Sequence, residues 1–338
     1  MNSRERVYRA ISFEEPDRIP NGCYALPGAV WKYGDKISRL FKKYPTDFSG
    51  YSFPIDDESA NYIYGIHIDR WGTVWRNSKE GILGQPVGFP LENLDKLDEY
   101  SFPDPLEGFN EMLKDINNDP HEKYIVIGIP HTIFEKLQEL RGFSNALADI
   151  IRESKKFYLL LDRLKKLRVE QLKIACEIDK VDGIMLADDW GTTDRLMIRP
   201  EKWRKIFKPI YRELFHVIKK HGKHALLHSD GMIMDIIPDL IEIGLDGLNF
   251  QTNINDVGMF REKFAGKLTV FADLDRVRIL PFGTPREVEE HVKEVIEVLG
   301  KGLKGGLIMC GEIGPDVPPI NAETMLKTIF IHGKYPIN

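Results

Sequence analysis

The feature that most constrains this chain is a repeated unit: a short, continuously apolar run stops abruptly at polar residues, and a helical pattern follows. The clearest case is Lys223-His224-Ala225-Leu226-Leu227-His228-Ser229-Asp230-Gly231. Side chains alternate along an extended strand, so His228 and Asp230 share one face. The unit recurs at residues 124–129, ending at Pro130-His131, and at 183–187, ending at Asp188-Asp189. It recurs again at 247–251, at 268–272 ahead of Asp273, and at 306–309 ahead of Cys310. Weaker strand candidates lie at 18–23, where Pro20 intervenes, and at 47–53.

Strands that are apolar throughout must be covered on both faces, as parallel strands are when helices connect them. Roughly eight such strands with helices between them imply an α/β fold, a (β/α)8 TIM barrel. The rival is a doubly wound open sheet. It requires a Gly-rich phosphate turn after an early strand, and no G-x-G-x-x-G occurs. An amphipathic N-terminal helix is expected over 2–13, and further helices over 29–41, 106–117, 133–138, 144–153, 155–178, 200–221, 234–243, 257–264, 285–299 and 321–330. Pro200 suits a first helical turn, and Thr284 and Asn321 suit N-caps.

One region breaks the rhythm. Asp69-Arg70-Trp71-Gly72-Thr73-Val74-Trp75 alternates, and Gly81, Gly84, Pro86, Gly88 and Pro90 follow. That is hairpin composition, expected as an excursion near residues 62–90 that sits on the barrel. The chain has 338 residues, against about 250 for a typical barrel of this kind, which leaves room for the N-terminal helix and the hairpin. No repeat, low-complexity tract or linker interrupts it, so residues 1–338 read as a single domain.

Composition narrows the function classes. The net charge of −5 gives no basic footprint for nucleic acid or an anionic membrane. No apolar run approaches the ~20 residues of a spanning helix, and the first residues lack the apolar core of a signal peptide. The cytoplasm is therefore the expected compartment. Three unclustered cysteines (Cys23, Cys176 and Cys310) do not make a disulfide framework.

A barrel of this class carries its chemistry at the C-terminal ends of its strands. Those ends supply His131, Asp188, Asp189, His228, Asp230, Asn249, Gln251, Asp273, Cys310 and Glu312. His228, Asp230 and Cys310 together could hold Zn2+ with an open position for a thiol or water, and Glu312 shares the Cys310 face as a fourth ligand. Against this, Cys310 could be a small buried hydrophobe and His228 a backbone-bonded histidine. Asp188 or Asp189 could orient substrate or act as a general acid or base, or one of them could cap a turn. His131, Asn249, Gln251 and Asp273 are candidates for substrate binding, and His131 could equally cap the helix that follows. For Asp273 and Asp275, the nearby Arg276 and Arg278 offer local ion pairs instead. Trp71 and Trp75 read as packing residues, with recognition over the open rim as the alternative.

These residues carry a resemblance to the uroporphyrinogen decarboxylase superfamily over nearly the whole chain. The carriers are Asp69-x-Trp71-Gly72-x-x-Trp75, the stretch 134–142, Ala187-Asp188-Asp189-x-Gly191 and Pro200-x-x-Trp203. To these add His228-Ser229-Asp230-Gly231, Gly283-Thr284-Pro285-x-x-Val288, and Cys310-Gly311 with Pro318-x-x-Asn321. The superfamily has a cofactor-free decarboxylase branch with an Arg-Gln-Ala-Gly-Arg motif near its N-terminus. The corresponding stretch here, residues 20–27, contains no arginine. Its other branch moves methyl groups between a corrinoid protein and a thiol or methyl donor, on zinc held by a His-x-Cys-Gly turn and a later Cys-Gly. His228 and Cys310 match that pattern, whereas Asp230 stands where the first cysteine would be. A carboxylate is a harder ligand and leaves a metal more Lewis acidic. The resemblance therefore implies a corrinoid-dependent methyltransferase, with a small thiol or a methoxylated or methylated substrate and a corrinoid-carrying partner. A cofactor-free decarboxylase and a non-catalytic small-molecule-binding barrel are the alternatives.

Overall fold

The computed structural model describes residues 1–57 and 59–337. Twelve strands are present among them: β1 (Tyr24–Ala25), β2 (Phe48–Ser52), β3 (Gly65–Ile68), β4 (Val74–Asn77), β5 (Gln85–Gly88), β6 (Tyr124–Ile129), β7 (Gly183–Ala187), β8 (His224–His228), β9 (Gly247–Gln251), β10 (Thr269–Asp273), β11 (Leu307–Cys310) and β12 (Glu312–Ile313). Seven of them form one parallel sheet in the order β2-β6-β7-β8-β9-β10-β11, with helices in the connections.

The eighth stave is the segment around β1. Asn21 bridges to Met309, the Gly22 and Tyr24 amides donate to the carbonyls of Met309 and Gly311, and β1 pairs in parallel with β12. On its other side, the Asp47 amide donates to the Asn21 carbonyl at 2.8 Å. The circuit therefore closes as a (β/α)8 barrel. Pro20 has no N–H to give, which keeps this stave short, although its carbonyl still accepts from the Met309 amide. The buried Asp47 carboxylate holds the seam together. It accepts from the Asn21 amide at 2.7 Å and from the guanidinium groups of Arg6 and Arg18 at 2.7 and 2.8 Å.

The helix Ser3–Ile11 plugs the N-terminal end of the barrel. Its Val7, Ala10 and Ile11 pack against Tyr124, Leu226, Phe271 and Ile308 from the strands' inner faces. The excursion is a three-stranded antiparallel sheet, β3-β4-β5, one strand more than a hairpin. Asp69 builds its turn: one carboxylate oxygen accepts from the Trp71 and Thr73 amides at 2.9 and 2.8 Å, the other from Trp75 Nε1 at 2.9 Å. Trp71 and Trp75 are buried, so both are packing residues. Arg141 ties the excursion to the barrel wall by bonding Asp149 at 2.6 Å and the carbonyls of Leu91 and Glu92.

Three expected helices are divided. Residues 29–41 form Pro27–Tyr33 and Asp35–Lys43, broken at Gly34, whose φ of 51° is cheap only for glycine. Residues 200–221 split into Pro200–Ile206 and Lys208–Lys220 beside Pro209, which cannot donate to the preceding turn. Residues 234–243 start as a 3-10 turn, Met234–Ile236, before Pro238 opens the short helix Ile237–Glu242. Thr284 caps Pro285–Gly300 in a capping box with Glu287. Asn321 is no cap. It lies inside Pro319–His332, and its amide donates to the carbonyls of Leu280 and Gly283. Among the described residues no helix is long and apolar enough to cross a membrane.

Candidate active site

Register sets the site. Ala187 pairs with His228, His228 with Asn249 and Asn249 with Phe271, so side chains of the same phase line up across β8, β9 and β10. They face into the barrel. Above the helical plug lies a cavity of about 750 Å3. Phe48, Val126, Met185, Leu226 and Phe271 wall it from the strands, and Val30, Ile37 and Phe41 from the two helices after β1. His228, Asn249 and Cys310 stand on its wall at the strand ends.

Asn249 fixes the histidine. Its Nδ2 donates to the Phe271 carbonyl at 2.8 Å, which turns its Oδ1 toward His228 Nδ1 at 2.5 Å. Nδ1 is therefore the protonated nitrogen, and Nε2 is left for chemistry. Nε2 lies 3.6 Å from an oxygen of Asp189 and 3.6 Å from an oxygen of Asp230. These three residues each offer a ligand atom within 4.8 Å of the others. Burial would lower the imidazole's pKa, but the charges of Asp230 and Asp189 outweigh it and raise it. The turn is held by the Asp230 amide, which donates to Asp189 Oδ1 at 2.8 Å.

A second charge group adjoins the first. Arg276 pairs with Asp230, lies 3.1 Å from Asp273 and 3.7 Å from Glu312, and is largely buried. The Tyr24 hydroxyl donates to Glu312 at 2.9 Å. Burial pushes the Asp273 carboxyl up to about 7, against the pull of Arg276. Burial likewise raises the thiol of Cys310 well above its usual value, so it is a poor thiolate when unligated.

The candidates from the sequence thus fall into distinct places. Asp189, His228 and Asp230 converge. Asn249 orients His228. Cys310 is on the cavity wall beside Asp273, its register partner, but outside the three-residue cluster. Glu312 faces Tyr24 and Arg276. Gln251 accepts the Gly231 amide at 2.9 Å and so shapes the loop after β8. Asp188 is fully buried: it accepts from the Ile133 and Glu135 amides at 2.8 Å each and from Tyr211. It holds the start of the helix Phe134–Arg141. His131 pairs with Glu139 and lies 3.8 Å from Glu135. Burial would raise Glu139, but His131 and Lys136 hold it down at about 2. Sequence reasoning gave Arg276 only a local role; its position three residues past Asp273 was the available signal.

A zinc ion has a donor set to meet here. His228 Nε2 is unprotonated when the ring is neutral, and Asp230 Oδ1 is a buried oxygen without a hydrogen-bond donor. Two carboxylates and one imidazole are ordinary zinc ligands.

Residues 80–330 match the family described as uroporphyrinogen decarboxylase (URO-D). The chain is 23% identical over 346 residues to the methylcobamide:CoM methyltransferase MtbA of Methanosarcina acetivorans, covering 96% of both chains. It is 23% identical over 345 residues to the protein of the same name from Methanosarcina mazei, again covering 96% of each. A solved structure of a methyltransferase from Methanosarcina mazei superposes with a TM-score of 0.73 at 14% identity, over 98% of both chains. At that identity the likeness is one of fold.

Proposed function

The chain belongs to the uroporphyrinogen decarboxylase family, and from that premise we propose that it is a corrinoid-dependent methyltransferase. The methyl group passes between a corrinoid carried by a partner protein and the heteroatom of a small substrate, a thiol or a methoxylated or methylated compound. The observation that carries this reading is the Asp189–His228–Asp230 cluster at the cavity mouth, on a chain similar over its length to two methylcobamide:CoM methyltransferases.

The reacting heteroatom sits beside the Asp189–His228–Asp230 cluster. Asn249 holds the ring with Nε2 toward Asp189 and Asp230. The charges of Asp230 and Asp189 that raise the imidazole's affinity for a proton raise its affinity for a cation at Nε2 in the same way. Asp189, His228 and Asp230 would hold zinc, and the metal would supply Lewis acidity toward the heteroatom, while Cys310 and Glu312 lie outside that cluster. Arg276 offsets the carboxylates and keeps Asp230 in place. The apolar walls keep water from competing for the methyl group.

A decarboxylase acting on a substrate with many carboxylates would need cations, and no Arg or Lys lines the cavity among the described residues. Two measurements test the assignment. His228→Ala should lower methylcobalamin-dependent methyl transfer by at least 100-fold with the fold intact. Elemental analysis of purified protein should find near-stoichiometric zinc that this substitution removes. Turnover of uroporphyrinogen without metal or corrinoid would overturn the reading.

A further inference from the structure

The cavity below His228 says more about the substrate than the cluster above it does. Its volume of about 750 Å3 lies in the range of about 300–1,000 Å3 that holds drug-sized ligands. Its polar side chains are few: Tyr24, Ser38, Thr46, His228 and Asn249, beside the thiols of Cys23 and Cys310. None of the lining residues is charged other than the titratable His228. An unpaired charge placed among Phe48, Val126, Met185 and Phe271 would lose its hydration with nothing in return. Of the neighbouring carboxylates Asp189, Asp230, Asp273 and Glu312, none lines the cavity, and the charge of Asp189 and Asp230 beside His228 disfavours an anion there. They do not invite a cation further down either, because they are engaged with Arg276 and His228 above the cavity rather than on its walls.

We propose that the small substrate is an uncharged, largely apolar molecule, of the class of a neutral aryl methyl ether or its demethylated counterpart, with its one reactive heteroatom at His228 and its hydrocarbon body in the barrel. The inference rests on the methyltransferase reading of this same site. It separates the chain from a transferase whose small substrate is an anionic thiol.

Gly50 gives a clean handle. It lies on β2, lines the cavity, and a Cβ built on it meets no atom within 4 Å. Gly50→Leu therefore adds side-chain volume to the cavity from β2, a strand that carries none of His228, Asp189 and Asp230, and Gly50→Ala adds less. The test is isothermal titration of the full chain with 2-methoxyphenol, 4-methoxybenzoate, 4-methoxybenzylamine and 2-mercaptoethanesulfonate at neutral pH. The neutral ether should bind at one site per chain, at least 10-fold tighter than each charged probe. Gly50→Leu should weaken it by at least 10-fold with an unchanged melting temperature, and Gly50→Ala by less. Equal or tighter binding of any charged probe, no binding of the neutral ether, or indifference to both Gly50 variants would overturn the proposal.

Methyl transfer is assayed separately with methylcobalamin. Binding as proposed without any methyl transfer would sink the methyltransferase reading and leave the cavity assignment standing. Methyl transfer to 2-mercaptoethanesulfonate without binding of the neutral ether would do the reverse.

Discussion

Asp188 and Asp189 are neighbours in the chain and have opposite lives in the fold. Met185 points into the cavity, so two-residue alternation sends Asp189 inward and Asp188 outward, under the helix Phe134–Arg141. That phase was legible in the sequence once Met185 was known to face in, but periodicity does not say which face is the interior when both are apolar. Asp188→Asn should destabilise the protein by about 2–3 kcal/mol, since it weakens charge-assisted bonds to two amides and Tyr211 in a buried site. Asp189→Asn should cost less than about 1 kcal/mol and lower methyl transfer about 100-fold. Urea unfolding and the methylcobalamin assay separate the two. Asp273 makes a pH-dependent contribution. Its carboxyl titrates near 7 when folded against 3.8 as the unperturbed value, so the folded state binds the proton more tightly. The stability this gives is fully present below about pH 4 and is lost as pH rises to 7, on the order of 4 kcal/mol in all. Asp273→Asn should flatten unfolding free energy across that window, and an unchanged slope would exclude Asp273 as its source.

The elements that read best are those whose pattern has one solution. The strands β6 to β11 are apolar runs flanked by turn residues, and each lies within a residue or two of its expected place. The stave near residue 21 was harder to place, because its pairing depends on partners almost 290 residues away. Helix interruptions at Gly34 and Pro209 follow from backbone chemistry that amphipathic periodicity hides. Arg276 is the main omission at the site. It lies in a loop, where no periodicity fixes direction, and three carboxylates from separate strand ends decide where it points. The resemblance supplied His228 and Cys310 as a pair, whereas the geometry groups His228 with Asp189 and Asp230. Contact between elements carries its own test. A Cβ on Gly28 would come within 2.4 Å of the Gly81 carbonyl oxygen, where the first helix of the pair after β1 meets the excursion. Gly28→Ala should cost about 1–3 kcal/mol and speed proteolysis within residues 78–84. An unchanged digestion pattern would show that this contact does not hold the excursion down.

At the scale of the molecule, the barrel closes through the stave at residues 21–25, which meets β2 on one side and residues 309–313 on the other, and Asp47 with Arg6, Arg18 and Asn21 fastens the β2 side. Asp47→Ala leaves the Arg18 guanidinium without its anion and Arg6 with Asp17 alone. It should destabilise by about 3–5 kcal/mol and weaken ligand binding in the cavity, read by unfolding and titration. The seam also bears on the order of assembly. The cavity is bounded by residues 22–25 on one side and by Cys310 on the other, and these meet only across the joint between the first stave and residues 309–313. Contacts of such sequence separation are entropically costly to form and come late in folding. A chain emerging from the ribosome can build β6 to β10 with their helices while its first stave still waits for a partner. The pocket, and with it the enclosure of His228, exists only after residues 307–313 have been made and folded back onto the start. Until then the apolar inner faces of the strands are open to solvent, so this nascent barrel is at its most vulnerable to self-association just before it becomes able to bind anything.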